Sequence, residues 1–302
     1  MSQRAGELPR RISIQALALA SAAAEEVGER MHDGARVARF LRGRLEFTPQ
    51  PDDIFISSYP RSGTTWLQQM LLVLARDGEP HFDHISDVVP WFERSLSLGI
   101  RRGTSFDQLP RPRIFKSHLP YAWLPHGARY VYALRDGRDV VVSYYHLYRS
   151  HLRYRGDFDS FFDRFMRGDL QYKSWFKHTA GWQTVAHRDN VRVVRYERML
   201  NDMLGVMREL NTFLRFDRTP QRIEDLSRYC TFDYMKSHEQ RFDHATEERH
   251  LRGMSDGRFL RQGGSGGFSK YLNDDQLRSF ERSCARTRRT SRVELDLPAF
   301  LH

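Results

Sequence analysis

Cysteine is nearly absent. Cys230 and Cys284 are the only two in 302 residues, and no C-x-x-C pair occurs. That excludes a disulfide-stapled scaffold and fits a reducing compartment, hence a cytoplasmic setting. No apolar run is long enough to span a bilayer, so no membrane association is expected. Spacings that hold metals are missing too. There is no H-E-x-x-H and no Cys/His cluster, so no metal is expected. Repeats, low-complexity tracts and long linkers are lacking. A chain of this length with 40% hydrophobic residues can build one large core. A single domain over 1–302 is therefore expected, with a helical lead-in at 1–50 and the core at 51–302.

Positive charge is abundant. The formal net charge is +10, which suits an anionic ligand, nucleic acid or an acidic membrane surface. Near the start, Pro9-Arg10-Arg11 precedes the Ala- and Leu-rich run Ile12 to Ala24. This resembles a short targeting signal. However, Glu25, Glu26, Glu29 and Arg30 continue the pattern unbroken, as an amphipathic helix does and a cleavage region usually does not.

The spacing of apolar residues then alternates between two kinds of segment. Residues 13–46 have helical character, with a break near Gly34. Ile54-Phe55-Ile56 is a short strand-like run. Thr64 to Arg76 follows with helical spacing at Trp66, Leu67, Met70, Leu71 and Leu74. Further strand-like runs are Arg113–Lys116, Arg129–Leu134 and Val191–Arg195, and the third leads into a helix from about Arg138 to His151. Thr219-Pro220 is a helix start with Pro at the first position. Asn273 with Gln276 has the form of a capping box. The alternation predicts an α/β fold: a central parallel sheet flanked by helices on both faces. Ligands of such folds bind at the carboxyl ends of the strands.

The loop after the first strand carries the most information. Tyr59-Pro60-Arg61-Ser62-Gly63-Thr64-Thr65-Trp66 joins a strand to a helix. That geometry aims backbone N–H groups and the positive helix end at an anion. Gly63 permits close approach, Thr64 and Thr65 add hydroxyl donors, and Arg61 adds a permanent charge. The nucleoside-triphosphatase pattern G-x-x-x-x-G-K-[ST] is not met. Its first Gly is absent, and Thr64 stands at the lysine position. A P-loop nucleotide kinase is thus the weaker reading.

Four segments together resemble the cytosolic sulfotransferase family, in matching order from about residue 50 to 285. The loop Tyr59 to Trp66 is similar to that family's 5′-phosphosulfate loop. Arg129 to His146, with Arg135-Asp136-Gly137-Arg138 and Ser143, is similar to its 3′-phosphate motif. Lys116-Ser117-His118 resembles the strand-end Lys-Thr-His. Arg261-Gln262-Gly263-Gly264-Ser265-Gly266-Gly267-Phe268 resembles its Gly-rich C-terminal loop. The resemblance implies a single P-loop-like domain and 3′-phosphoadenosine 5′-phosphosulfate (PAPS) as co-substrate, leaving adenosine 3′,5′-bisphosphate. It implies that Arg135 and Ser143 hold the 3′-phosphate with Arg261 and the amides near Gly263, with Gln262 in the same nucleotide-binding loop but without the phosphate contact of a lysine. Trp66 and Phe232 would sandwich the adenine, Tyr196 would touch the nucleotide, and Cys230 would offer only its backbone. Arg61, Ser62, Gly63, Thr64 and Thr65 would face the phosphosulfate.

Departures from the family pattern are informative. The family usually has lysine at Arg61, restrained by the serine that corresponds to Ser143, and a guanidinium fork cannot copy that point charge. Gln262 replaces a lysine, and Gly267-Phe268 replaces Asp-Trp. The dimerisation motif is not recognisable around Tyr271 to Glu281, so no dimer is inferred.

Sulfuryl transfer resembles phosphoryl transfer, in which the protein positions both partners and stabilises charge. A base near neutrality must also take the acceptor proton, and histidine suits that task. Among 13 histidines, His118 is singled out by its place after a strand, two residues from Lys116. Lys116 would stabilise developing charge. The partner expected is a small-molecule acceptor with a hydroxyl or amine. Its walls would come from 80–105, 144–180 and 237–256, with Phe82, Trp91, Phe92, Tyr144, Tyr145, Tyr148, Trp175 and Phe242 either lining the pocket or filling the core. His81, Arg94, Arg101, Arg102 and His151 leave room for a polar or acidic acceptor. A nucleic-acid-binding reading rests on Arg286, Arg288, Arg289 and Arg292. No recognised nucleic-acid motif accompanies that run, so no nucleic acid is expected.

Overall fold

The computed structural model describes residues 34–101, 103–242 and 263–291. At its centre four strands pair in parallel, in the order β2-β1-β3-β4. They are β1 (Ile54–Ser58), β2 (Ile114–Ser117), β3 (Arg129–Leu134) and β4 (Val191–Arg195). In register, Phe55 lies opposite Phe115 and Tyr130, and Tyr130 opposite Val191. The strands are short and apolar because both faces of the sheet are covered. All of β1 and β2 is buried.

Alternation along the strands feeds two different cores. Ile54, Ile56, Ile114, Val131, Ala133 and Val194 point to one face. There they meet α1 (Thr64–Arg76), α6 (Met203–Leu214) and α7 (Pro220–Ser227) through Leu67, Leu71, Met207, Leu210 and Ile223. Between β4 and α6 lies the short α5 (Tyr196–Asn201). The alternate residues point the other way. The Phe55 and Phe115 rings stack at 4.8 Å, and Tyr132 lies flat on Trp182 at 4.8 Å. Trp182 belongs to α4 (Trp175–Gln183). A second aromatic core joins α2 (Gly137–His151), α3 (Phe158–Arg167), α4 and α9 (Asp274–Ser291) through Tyr144, Phe161, Trp175 and Phe280. Each fully buried side chain of this size contributes about 1.5–3 kcal/mol.

The helix-start signals work as the sequence implies. Thr219 Oγ1 accepts the N–H of Arg222 at 3.2 Å, with Pro220 at the first helical position. Asn273 and Gln276 cap each other's backbone N–H at 2.9 and 3.0 Å. Thr231 caps α8 (Phe232–Ser237) in the same way.

The described residues pack as two compact units. The sheet and its helices belong to the unit formed by Pro49–Phe92 and the chain from Gln108 onward. In the other, residues up to Thr48 group with Glu93–Asp107. Residues 34–46 are helical there, Arg39 Nε donates to the Ser97 carbonyl at 2.9 Å, and Phe47 meets Phe106 edge-on at 5.8 Å. The expected targeting-like stretch, Pro9 to Ala24, lies outside the described residues, as do Arg102 and Arg292. Among the described residues no helix is long and apolar enough to cross a membrane.

The strand order places a switch point between β1 and β3. The chain leaves β1 for α1 on one face and leaves β3 for α2 on the other, so the two loops diverge and leave a crevice at the carboxyl ends. Both phosphate-type motifs of the sequence fall there.

Candidate active site

The loop from β1 to α1 contains a strained residue. Arg61 has φ +71°, in the left-handed region, where a non-glycine residue costs on the order of 1–3 kcal/mol. Two contacts hold it. Its carbonyl accepts Arg135 Nη1 at 3.0 Å, and its Nε donates to Ser143 Oγ at 3.0 Å. Gly63 has φ +93° and caps α1 without a side-chain acceptor. A Cβ there would lie 2.6 Å from the Tyr196 ring, so only glycine fits. By contrast, α2, α3, α4 and α6 start at Asp136, Asp157, Ser174 and Asp202, each capping with its own side chain. The first turn of α1 thus has backbone donors that no capping side chain claims, and no acidic residue sits in it. That end attracts an anion.

Arg135, at the end of β3, ties the crevice together. Besides Arg61, it donates through Nη2 to the Gly264 carbonyl at 2.9 Å, and its guanidinium lies 4.2 Å from the Tyr196 ring centre. The Gly263–Phe268 loop is fastened to α2 by Asp139. Its carboxylate accepts Ser265 Oγ at 2.9 Å and the N–H groups of Gly266 and Phe268 at 2.7 and 3.1 Å. Gly263, at φ +60°, sits so close to Phe232 that a Cβ would be 2.7 Å from its ring. Trp66 Nε1 donates to the Cys230 carbonyl at 2.6 Å, so that backbone group already serves the indole. Arg261 and Gln262 lie outside the described residues.

Among the described residues, Ser62 Oγ and Arg135 Nε are buried here without a hydrogen-bond partner, as is Glu197 Oε2. The first two are donors, at the mouth of a helix start and beside Arg61. That donor set fits a phosphorylated, polyanionic ligand such as a nucleotide bisphosphate.

His118 stands next to this cradle. β2 ends at Ser117, and the following turn brings the imidazole under β1. Its Nδ1 lies 2.8 Å from the Ser58 carbonyl and 3.3 Å from Ser58 Oγ, which in turn is 2.6 Å from Thr64 Oγ1. A carbonyl only accepts, so Nδ1 carries the proton and Nε2 the lone pair. The ring is 5% exposed and meets Trp91 and Tyr172 edge-on at 5.1 and 5.2 Å. Burial holds its pKa well below the usual 6.5, and repulsion by Lys116 and Arg61 adds to the shift, against the Ser58 bond. Lys116 is buried and places Nζ 4.0 Å from the Trp91 ring centre.

Of the residues singled out in the sequence, Arg61, Thr64, His118, Arg135, Ser143 and Tyr196 lie together at the strand ends. The aromatic set divides. Trp91 reaches His118, whereas Phe92, Tyr144 and Trp175 are buried core residues and Phe82 packs against Phe242 at 6.0 Å. Tyr172, Asp139, His178 and Trp182 were not legible as site residues. They lie in the chain far from the motifs they support.

The fold is that of a P-loop-like α/β protein, with a helix start free of side-chain caps close to a buried imidazole. Residues 51–292 match the sulfotransferase domain, and the chain belongs to that family. Sulfotransferase 1A1 of Canis lupus familiaris is 30% identical over 261 residues, covering 82% of this chain and 88% of the relative. The amine sulfotransferase of Oryctolagus cuniculus is 28% identical over 249 residues, covering 78% and 81%. Among solved structures, retinol dehydratase in complex with androsterone and the inactive cofactor PAP superposes with a TM-score of 0.74 at 23% identity, over 87% of this chain and 88% of that one. Mouse sulfotransferase SULT7A1 complexed with PAP gives 0.66 at 25% identity, over 86% and 92%. Family and fold together support sulfuryl transfer as the reaction.

Proposed function

We propose that this chain moves a sulfuryl group from PAPS to a hydroxyl or amine of a small-molecule acceptor, with His118 as general base. The observation that carries the reading is the junction at the sheet's carboxyl ends. There the Ser143–Arg61–Arg135 contacts and the Thr64–Ser58–His118 contacts share one loop. PAPS supplies the activated sulfuryl group. The chain does the rest by binding and orienting. Arg135 and Ser143 hold the 3′-phosphate, and the Ser62–Thr65 turn with Arg61 holds the phosphosulfate. Trp66, Tyr196 and Phe232 offer ring faces to the nucleoside. Lys116 stabilises charge on the transferring group. His118 Nε2 takes the acceptor proton. The buried rings around it suit an apolar or aromatic acceptor. Two buried free thiols, Cys230 and Cys284, support a cytoplasmic setting.

Nucleotide binding is the direct test. Adenosine 3′,5′-bisphosphate at about 100 times its dissociation constant should stabilise the protein by about 2.7 kcal/mol. For a chain of this size that is a Tm rise of roughly 4 °C. Adenosine 5′-phosphate, which lacks the group assigned to Arg135, should give a smaller rise. Absence of any shift with the bisphosphate sinks the assignment.

A second test concerns the departure at Arg61. The position needs a permanent cation within reach of Ser143 Oγ, which a lysine also supplies. Arg61→Lys is therefore expected to keep turnover within about tenfold of the parent, read from a donor titration at fixed acceptor. Complete loss of activity would show that the guanidinium fork itself is required.

A further inference from the structure

The backbone of His118 is held by side chains rather than by the sheet. β1–β2 pairing ends at Ser57 opposite Ser117, one residue short of the imidazole. Beyond it, two side chains of α4 take over. His178 and Trp182 are four residues apart and so share one helical face. His178 Nε2 donates to the His118 carbonyl at 3.0 Å, and Trp182 Nε1 donates to the Leu119 carbonyl at 3.3 Å. The Leu119 carbonyl also accepts Ser57 Oγ at 3.0 Å, and the Leu119 N–H donates to Ser117 Oγ at 3.0 Å.

The far side of this clamp is fixed as well. With Nε2 donating to a carbonyl, neutral His178 presents Nδ1 as an acceptor, and the Tyr132 hydroxyl donates to it at 3.1 Å. Tyr132 stands in β3 and lies flat on Trp182 at 4.8 Å. His178 is 4% exposed, and burial pushes its pKa down to about 4. The neutral tautomer that the bonds require is therefore the stable one at neutral pH. Two adjacent carbonyls in a turn, each met by an indole or imidazole N–H from one helix face, form a rigid seat for the residue between them and the sheet.

We propose that His178 and Trp182 are positioning residues: they hold the His118 and Leu119 carbonyls and so set where the His118 imidazole meets the acceptor. The inference rests on His118 being the base. It separates the helix α4 clamp from the nucleotide cradle, to which neither residue bonds. Its loss should therefore appear in turnover and not in donor affinity.

The test compares His178→Phe, which keeps a ring but has no donor, with His178→Gln, which keeps an N–H at the end of the side chain. Purified full-length chains are assayed for kcat, acceptor KM, adenosine 3′,5′-bisphosphate affinity and Tm. His178→Phe should lower kcat by about 10- to 100-fold, the scale of a misplaced reacting group. Bisphosphate affinity should stay within about twofold, and His178→Gln should recover most of the loss. Turnover of His178→Phe within about twofold of the parent overturns the proposal, and so does a loss of nucleotide affinity in step with kcat. Should His178→Phe fail to fold, Trp182→Phe decides. It keeps the face against Tyr132 but lacks the N–H to Leu119, so a fall in kcat alone supports the clamp and unchanged kcat refutes it. His118→Ala runs in parallel. If it keeps full turnover, the base assignment fails. If it is inactive while His178→Phe is fully active, only the positioning role fails.

Discussion

His118→Ala is expected to lower kcat by roughly 10²- to 10⁴-fold, the usual contribution of a positioned general base, while nucleotide binding persists. The imidazole bonds Ser58 through Nδ1, whereas Arg61 is the residue that joins Ser143 and Arg135, through its Nε and its carbonyl. Binding and proton removal therefore reside in separable side chains. The acid side of the pH profile follows from the same geometry. Burial disfavours the imidazolium first, and Lys116 and Arg61 repel it further, so the pKa of His118 lies well below 6.5. A base with a lowered pKa stays deprotonated as pH falls toward 6.5 and loses its lone pair only below that. The acid limb of kcat/KM, which reports the free enzyme, should then lie below pH 6.5. Retained turnover in His118→Ala would remove the residue from proton transfer. An acid limb at pH 7 or above in the parent would mean that some other group is titrating.

The topology explains why one turn can serve both tasks. β1 is flanked by β2 and β3, so the residues following all three strands crowd one end of the sheet. Ser58 closes β1 and touches Thr64 of the phosphate-type turn on one side and His118 on the other. Arg135 closes β3 and reaches back to Arg61 and across to Gly264. The proposed reaction asks for a donor anion and a base close together, and a parallel sheet with a switch point between β1 and β3 gathers the candidate loops for both at one end.

Much of this was legible in the sequence because the signals are local. Thr64–Arg76, Arg129–Leu134 and Val191–Arg195 have the bounds that their apolar spacing implies. The caps at Thr219 and Asn273 act within four residues of themselves. Arg61, Arg135, Ser143 and His118 could be picked out because each sits in a contiguous motif. What stayed hidden depends on distant packing. Asp139 is an ordinary first-turn acid until Ser265, Gly266 and Phe268 arrive from more than a hundred residues away. His178 was one of 13 histidines, and only its four-residue spacing to Trp182 in an aromatic helix hinted at a shared face. The aromatic segments read as pocket walls mostly fill the core, since Tyr144 and Trp175 are buried among α2, α3 and α9. Aromatic content alone does not separate lining from filling. Arg113 opens one of the strand-like runs of the sequence. It lies one residue before β2, and its side chain does something the strand pattern did not suggest.

That side chain carries the largest stability effect expected. Arg113 grips Asp53 with two bonds, Nε to Oδ1 at 2.7 Å and Nη2 to Oδ2 at 2.6 Å, at the end of the sheet opposite the site. The two side chains are 2% and 0% exposed. Asp53 Oδ2 also accepts the Gln50 N–H at 2.8 Å, which fixes the entry into β1. Asp53→Ala removes the carboxylate and leaves a guanidinium buried without its counter-charge. Breaking a buried pair from one side costs about 3–5 kcal/mol, a large part of a total stability of about 5–15 kcal/mol. Urea unfolding should show a fall of that size, with a Tm lower by roughly 6 °C or more. The pair itself is not the source of the whole effect, because desolvating two charges offsets most of their attraction. Adding Arg113→Met to Asp53→Ala should therefore restore more than half of the loss, a strongly non-additive cycle. Fall and recovery together would assign the cost to the stranded charge. A single variant within about 1 kcal/mol of the parent would show that water reaches Arg113 and that the pair does not anchor the strand.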